Sequence, residues 1–228
     1  MNDHIVKSYS DELETLSADI LRMGGLVESM IMDACNAVAI GDTEQGKKTV
    51  LRDVEVDGLE ADIERRIANM IALRQPMAQD LREVLAALKI VNDLERVGDL
   101  SKNIAKRVEA LKEGNIGTIL KGIPRMGRAV TTQLASVLDA YRNRDAEAAV
   151  HVWQNDEEID QIYNSYFREV LTYMMEDPRM IGAGAHILFM AKNLERIGDH
   201  ATNIAELVFF SVTGDYLDAR ARPKIETE

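Results

Sequence analysis

The sequence predicts an all-α protein made of two tandem, structurally similar three-helix bundles, six long helices in all. Three observations predict it. Apolar residues recur at alternating intervals of four and three over long stretches, the 3.5-residue seam of helices packed nearly side by side. Helix breakers are scarce, with four prolines and fourteen glycines in 228 residues. The pattern of the first half also returns in the second.

The first seam runs through Tyr9, Leu13, Leu16, Ile20, Met23, Val27, Met30, Ala34 and Ala37. It predicts one helix from about Ile5 to Ile40, on the order of 50 Å long at 1.5 Å per residue. Gly41 supplies a stop and Asp42 a cap for the next helix. That helix buries Val56, Leu59, Ile63, Ile67 and Met70 and ends near Gln75-Pro76, where proline can no longer donate to the ladder. The third, from about Ala78 to Leu111, aligns Ala87, Ile90, Leu94, Val97, Ile104, Val108 and Leu111, with Ser101 as the one polar interruption. Glu113 to Gly117 reads as a loop. No segment of consequence has the period of a strand.

The same unit then recurs. At an offset of 103, Ile20-x-Arg22-Met23-Gly24 matches Ile123-x-Arg125-Met126-Gly127, and Asp42, Asp53, Glu55 and Asp57 match Asp145, Asp156, Glu158 and Asp160. The seam Val56, Leu59, Ile63, Ile67, Met70 becomes Ile159, Ile162, Tyr166, Val170, Tyr173, and Pro76 finds a partner in Pro178. In the third helix the offset falls to 100, so that LERVGDLSKNIA (Leu94 to Ala105) faces LERIGDHATNIA (Leu194 to Ala205), identical at eight of twelve positions. Residues 1–114 are expected to form the first repeat, 115–219 the second, and 220–228 a disordered tail.

Charge narrows the function. With 39 acidic and 27 basic side chains the formal charge is −12, a surface that repels phosphate backbones, so no nucleic-acid partner is expected. The longest run without a charged residue, Met180 to Ala191, is twelve residues. A membrane span needs roughly twenty, so no crossing is expected. The N-terminus shows no export leader, and a single cysteine, Cys35, fits a reducing compartment. A cytoplasmic protein is the expectation. No Ser-His-Asp set, phosphate-cradling glycine loop or cysteine nucleophile argues for an enzyme.

Residues four apart share a helix face. That pairs Asp53 with Asp57 and Glu95 with Asp99 in the first copy, and Asp156 with Asp160 and Glu195 with Asp199 in the second. One further step reaches Asn103 and Asn203. Roughly six or seven such acidic pairs arise by chance at this composition, so one pair is simply a solvated face. Recurrence in register on two helices of both copies points to more. Like charges at this spacing destabilise a helix by about 0.2–0.5 kcal/mol per pair, which a bound cation would reverse. Each acid also sits one position beyond a seam residue, Asp57 after Val56 and Glu95 after Leu94, at the rim of a shared groove. Carboxylate and amide oxygens favour Mg²⁺, Mn²⁺, Ca²⁺ or iron, with Zn²⁺ a further candidate.

Gly98 and Gly198, each costing about 1 kcal/mol against alanine in mid-helix, fit either close approach of a backbone or ion cluster or simple tight helix packing. Arg96 and Arg196 are expected as ion-pair partners on the bundle exterior, with oxyanion binding as the lesser option. Among His4, His151, His186 and His200, the last follows Asp199 but points some 100° away and is expected at the groove edge or on the surface, not as a ligand. Tyr163, Tyr166, Phe167 and Tyr173, and Met23, Met30, Met32, Met174 and Met175, are expected to fill the core.

The motifs LERVGD…NIAK and LERIGDHATNIAE resemble the repeated signature of the PhoU family, accessory proteins of bacterial phosphate-specific transport, and the likeness runs from about Tyr9 to Tyr216. The resemblance implies two similar three-helix bundles with metal clusters on their surfaces. It places the ligands on Asp53, Asp57, Glu95 and Asp99 in one copy and Asp156, Asp160, Glu195 and Asp199 in the other. It further implies a negative regulator of the phosphate-starvation response that links the ATPase subunit of the phosphate ABC transporter to a membrane sensor histidine kinase. Such a protein works in the cytoplasm beside the inner membrane and is often a homodimer. One departure stands out. Leu100-Ser101-Lys102 replaces the His200-Ala201-Thr202 of the second copy, so Lys102 brings a cation near one site, and the two sites are expected to differ in occupancy or nuclearity.

Two other readings compete with a metal-bearing regulator. A metal-independent helical scaffold would use its acids for solubility or basic partners. A carboxylate-bridged di-iron enzyme would need Glu-x-x-His, but the positions three after Glu95 and Glu195 are Gly98 and Gly198. Without a basic pocket, the chain is expected to read the state of a transporter, not free phosphate.

Overall fold

The computed structural model describes residues 2–111 and 119–218, with side chains from Ser10 onward. The expected loop at Glu113 to Gly117, the repeat junction at 114/115 and the tail 220–228 lie outside the described residues, as do the side chains of His4 and Tyr9. Seven α-helices are seen among the described residues and no strand: α1 (Asn2–Ile40), α2 (Thr43–Arg74), α3 (Gln79–Ala105), α4 (Gly122–Asn143), α5 (Ala146–Gln154), α6 (Asp156–Glu176) and α7 (Ile181–Thr213).

Local chemistry sets the ends. Gly41 takes φ +69°, a left-handed conformation that glycine adopts without a Cβ clash. The Asp42 side chain then accepts from the Gln45 backbone N–H at 2.9 Å to cap α2. The second copy repeats the device, with Asp145 accepting from the Ala148 N–H at 2.9 Å. There the left-handed residue is Arg144, at φ +51°.

The copies differ in their middle helix. Where α2 runs unbroken, the second copy is interrupted at Asn155, so α5 and α6 together correspond to α2. The interruption makes Asp156 the first residue of α6, followed by Glu157 and Glu158, where carboxylates meet the positive end of the helix dipole. The third helix also differs from expectation. α3 ends at Ala105, and the chain tightens through i→i+3 bonds from Arg107 to Ile104 and from Leu111 to Val108. The tighter winding still buries Val108 and Leu111.

The seams form the core. Leu16, Ile20, Met23, Val27, Met30, Ala34 and Ala37 of α1 are buried, with Val56, Ile63, Ile67 and Met70 of α2 and Ile90, Leu94, Val97 and Ile104 of α3. Helices α1, α3, α4 and α7 pack against one another in the centre. Helix α2 lies on α1 and α3, while α5 and α6 lie mainly on α7 and also touch α4. One continuous apolar cluster runs through both copies. Tyr166 is buried as expected, its hydroxyl donating to the Ile119 carbonyl at 2.6 Å. Met175 is not a packing residue: it is 84% exposed, near the end of α6. By length and composition α1 is apolar enough to cross a bilayer, but half of its most apolar window is buried inside the protein, as in the core helix of a bundle.

Candidate functional site

Two grooves carry the predicted acids, one where α2 meets α3 and one where α6 meets α7. They are related by the repeat, but the structure fills them differently.

In the second groove one carboxylate oxygen from each of Asp160, Glu195 and Asp199 lies within 4.8 Å of the others. Asp160 comes from α6, the other two from successive turns of α7. Glu195 is 9% exposed, and its Oε2 is buried without a hydrogen-bond partner. Its other oxygen, Oε1, accepts from Lys192 Nζ at 2.5 Å, and that ammonium sits 5.4 Å from the Tyr163 ring centroid. The Asp199 carboxyl is held above the ordinary carboxylate value by partial burial and by the charges of Glu195, Asp156 and Asp160, with Lys192 pulling the other way. Asp156 therefore belongs to the same field, although its Oδ1 accepts from the Thr202 hydroxyl at 2.6 Å. An orphaned buried carboxylate oxygen among three more acids is a donor set that a hard divalent cation fits.

In the first groove Asp53 and Asp99 are also brought together, but around an amine. Lys102 Nζ donates to Asp53 Oδ2 and to Asp99 Oδ1, each at 2.5 Å, with only 20% of its side chain exposed. Burial lowers the Lys102 pKa, but the hydrogen bonds and charges of the two aspartates outweigh it and leave it raised. Arg96 lies over the rim, 3.2 Å from Glu95 and 3.4 Å from Asp99, which is the exterior ion pairing expected of it. Arg196 is exposed. Burial, then Asp99, raise Glu95, with Glu60 and Asp57 adding to the effect and Arg96 opposing it. Asp57 itself is exposed.

The asparagines do not extend either ladder inward. Asn103 is exposed, and Asn203 turns toward α3, its amide donating to Asp93 Oδ1 at 3.4 Å. His200 faces the same carboxylate, its Nδ1 2.8 Å from Asp93 Oδ1, so it joins the two copies at the groove edge and leaves the second acidic set all-oxygen. The glycines resolve to helix packing. A Cβ on Gly98 would meet Val56 Cγ1 at 3.1 Å, and one on Gly198 would meet Ile159 Cγ2 at 3.2 Å.

Sequence reasoning missed Glu60, Lys192 and Gln133, and it named Thr202 only as a departure from the first copy, not as a partner of Asp156. Glu60, raised by burial and by Glu64 and Asp57, obeys the rule that found its neighbours, since it follows the seam residue Leu59. Its counterpart is Tyr163, so a search for recurring acids discards it. Gln133 of α4 donates to the Thr202 hydroxyl at 3.3 Å and buries an unpartnered Oε1; no acidic spacing points to it.

Fold and grooves together define a duplicated helical-bundle protein with carboxylate-lined faces. The chain matches the PhoU domain twice, over residues 20–108 and 123–208. It is 51% identical to the phosphate-specific transport system accessory protein PhoU homolog of Caulobacter vibrioides, covering 99% of this chain and 98% of that protein. The corresponding homolog of Rhizobium meliloti is 47% identical, over 92% of this chain and 90% of that one. The crystal structure of PhoU from Pseudomonas aeruginosa superposes with a TM-score of 0.86 at 38% identity, covering 91% of this chain and 100% of that chain. That of the phosphate transport system regulatory protein PhoU from Streptococcus pneumoniae gives 0.85 at 32%, over 92% and 99%. The chain belongs to the PhoU family, which places it among accessory and regulatory proteins rather than enzymes.

Proposed function

We propose that this chain is a cytoplasmic, non-enzymatic regulator of phosphate uptake and a negative regulator of the phosphate-starvation regulon. In this reading it meets the ATPase subunit of the phosphate ABC transporter and the sensor histidine kinase of the regulon, acting as a homodimer. The observation that carries the reading is full-length identity of 51% to a phosphate-specific transport system accessory protein. Deleting the gene and measuring alkaline phosphatase in phosphate-rich medium tests it. Derepression supports the proposal, and unchanged repression refutes it.

The second acidic groove gives that regulator a metal-dependent face. Asp160, Glu195 and Asp199 would hold a divalent ion such as iron, zinc, manganese or magnesium, with Asp156 in its outer field. When bound, the ion supplies positive charge that cancels carboxylate repulsion and ties α6 to α7. The unpartnered Glu195 Oε2 supports this over a metal-independent scaffold, because a buried carboxylate oxygen left without a donor is unfavourable. Pull-down of the transporter ATPase by wild type and by Glu195→Gln/Asp199→Asn separates the two readings: a metal-dependent face requires binding to fall in the variant.

A further inference from the structure

The two grooves occupy equivalent places in the repeat and share four acids in register, and of the positions at which they differ one puts a charge between the acids of the two helices. It is Lys102 in the first copy and Thr202 in the second. Lys102 spans the groove from α3 to α2, its ammonium at 2.5 Å from both Asp53 and Asp99 and largely shielded from solvent. Thr202 fills the equivalent place with a hydroxyl, which satisfies Asp156 at 2.6 Å but carries no charge and reaches no second helix-bridging acid. The lysine of the second groove does not replace it. Lys192 comes from the same helix as its partner, three residues before Glu195, touches one oxygen, and has a side chain 49% exposed, so it can withdraw into water.

We propose that the first groove carries its own cation: Lys102 stands where an ion would stand, so that metal enters the second groove and not the first, and this one register position sets which half of the molecule responds to metal. The inference rests on the reading of the second groove as a metal site. Arg96 reinforces it, since both Glu95 and Asp99 are already engaged by that guanidinium. A divalent ion entering the first groove would have to expel a bridging ammonium that two carboxylates hold. The consequence is a protein whose α2–α3 contact is fixed at all metal concentrations while its α6–α7 contact is not.

The test is equilibrium dialysis of the full chain, stripped with chelator, against manganese and separately against zinc, read by elemental analysis. Wild type is expected to take up metal, and Glu195→Gln/Asp199→Asn to fall to the level of a metal-free control. Adding Lys102→Thr to that double variant is expected to restore uptake to the wild-type amount, and this metal is then lost on adding Asp53→Asn/Asp99→Asn. The reciprocal variant, Thr202→Lys alone, is expected to abolish wild-type uptake, with thermal melts showing that both exchanges remain folded. The proposal is overturned if Glu195→Gln/Asp199→Asn retains metal that Asp53→Asn/Asp99→Asn removes, or if folded Lys102→Thr gains none. Wild type binding nothing would sink the metal reading of the second groove instead; the single Lys102→Thr variant then decides this proposal, uptake supporting it and no uptake ending it.

Discussion

Gly127 of α4 lies against Cys35 of α1 so closely that a Cβ on the glycine would stand 2.5 Å from the thiol sulfur. The repeat makes the contact reciprocal. Gly24, the counterpart of Gly127, presses in the same way on Leu138, the counterpart of Cys35, with 2.5 Å to Leu138 Cδ1. The paired Met-Gly motifs noticed in the sequence are therefore the place where the two copies interlock around a pseudo-twofold axis.

Gly127→Ala should overpack this contact and destabilise the chain by about 1–3 kcal/mol. Adding Cys35→Ala removes the sulfur and should recover part of the loss, a coupling that additive sites would not give. Urea unfolding of the two single variants and the double variant measures it.

Cys35 should be chemically silent in the native protein. It is fully buried, and burial pushes its thiol up to about 12, with Arg128 only partly offsetting the effect. Because the thiolate is the reactive form, a disulfide reagent should label it at the rate of unfolding, slowly in buffer and completely in denaturant. Fast labelling of native protein would contradict the interlock.

Glu28 gives a pH dependence of defined sign. Burial, and then Asp139 across the α1–α4 contact, raise its carboxyl above 4.5 in the folded state. The native state then holds more protons than the unfolded chain between the two values, so stability falls as pH rises through that window. Glu28→Gln should therefore stabilise the protein near neutral pH, with the gain shrinking toward pH 4.5. Thermal melts at several pH values check it.

Metal removal should loosen the second copy. A ligand at one hundred times its Kd stabilises the native state by about 2.7 kcal/mol, which for a chain of this size is on the order of 5–10 °C in Tm. Manganese should raise the Tm of stripped wild type by that order, chelator should reverse it, and Glu195→Gln/Asp199→Asn should show neither change.

What was legible in the sequence follows from what periodicity encodes. The seam through Leu16, Ile20 and Met23 gave the helices because burial demands one apolar face, and the matched Asp42 and Asp145 gave the caps because an N-terminus needs an acceptor. Recurrence also pointed to Asp160, Glu195 and Asp199, whose carboxylates lie close together in the second groove. It was blind where the copies diverge outside a matched motif. Glu60 against Tyr163 and the break at Asn155 are single-copy features that a filter built on matching residues removes, whereas Lys102 against Thr202 was legible because it interrupts an otherwise matched motif. Asn103 and Asn203 mark the opposite limit. They recur, but the Asn203 amide also meets Asp93 of α3, a contact between copies that no spacing within one helix can reveal.

The most direct test is anomalous diffraction at the manganese edge from crystals of the full chain soaked in that ion. An anomalous peak enclosed by Asp160, Glu195 and Asp199, and absent between Asp53 and Asp99, is the predicted result. A peak beside Lys102, or none among the α6–α7 carboxylates at saturating manganese, would contradict it.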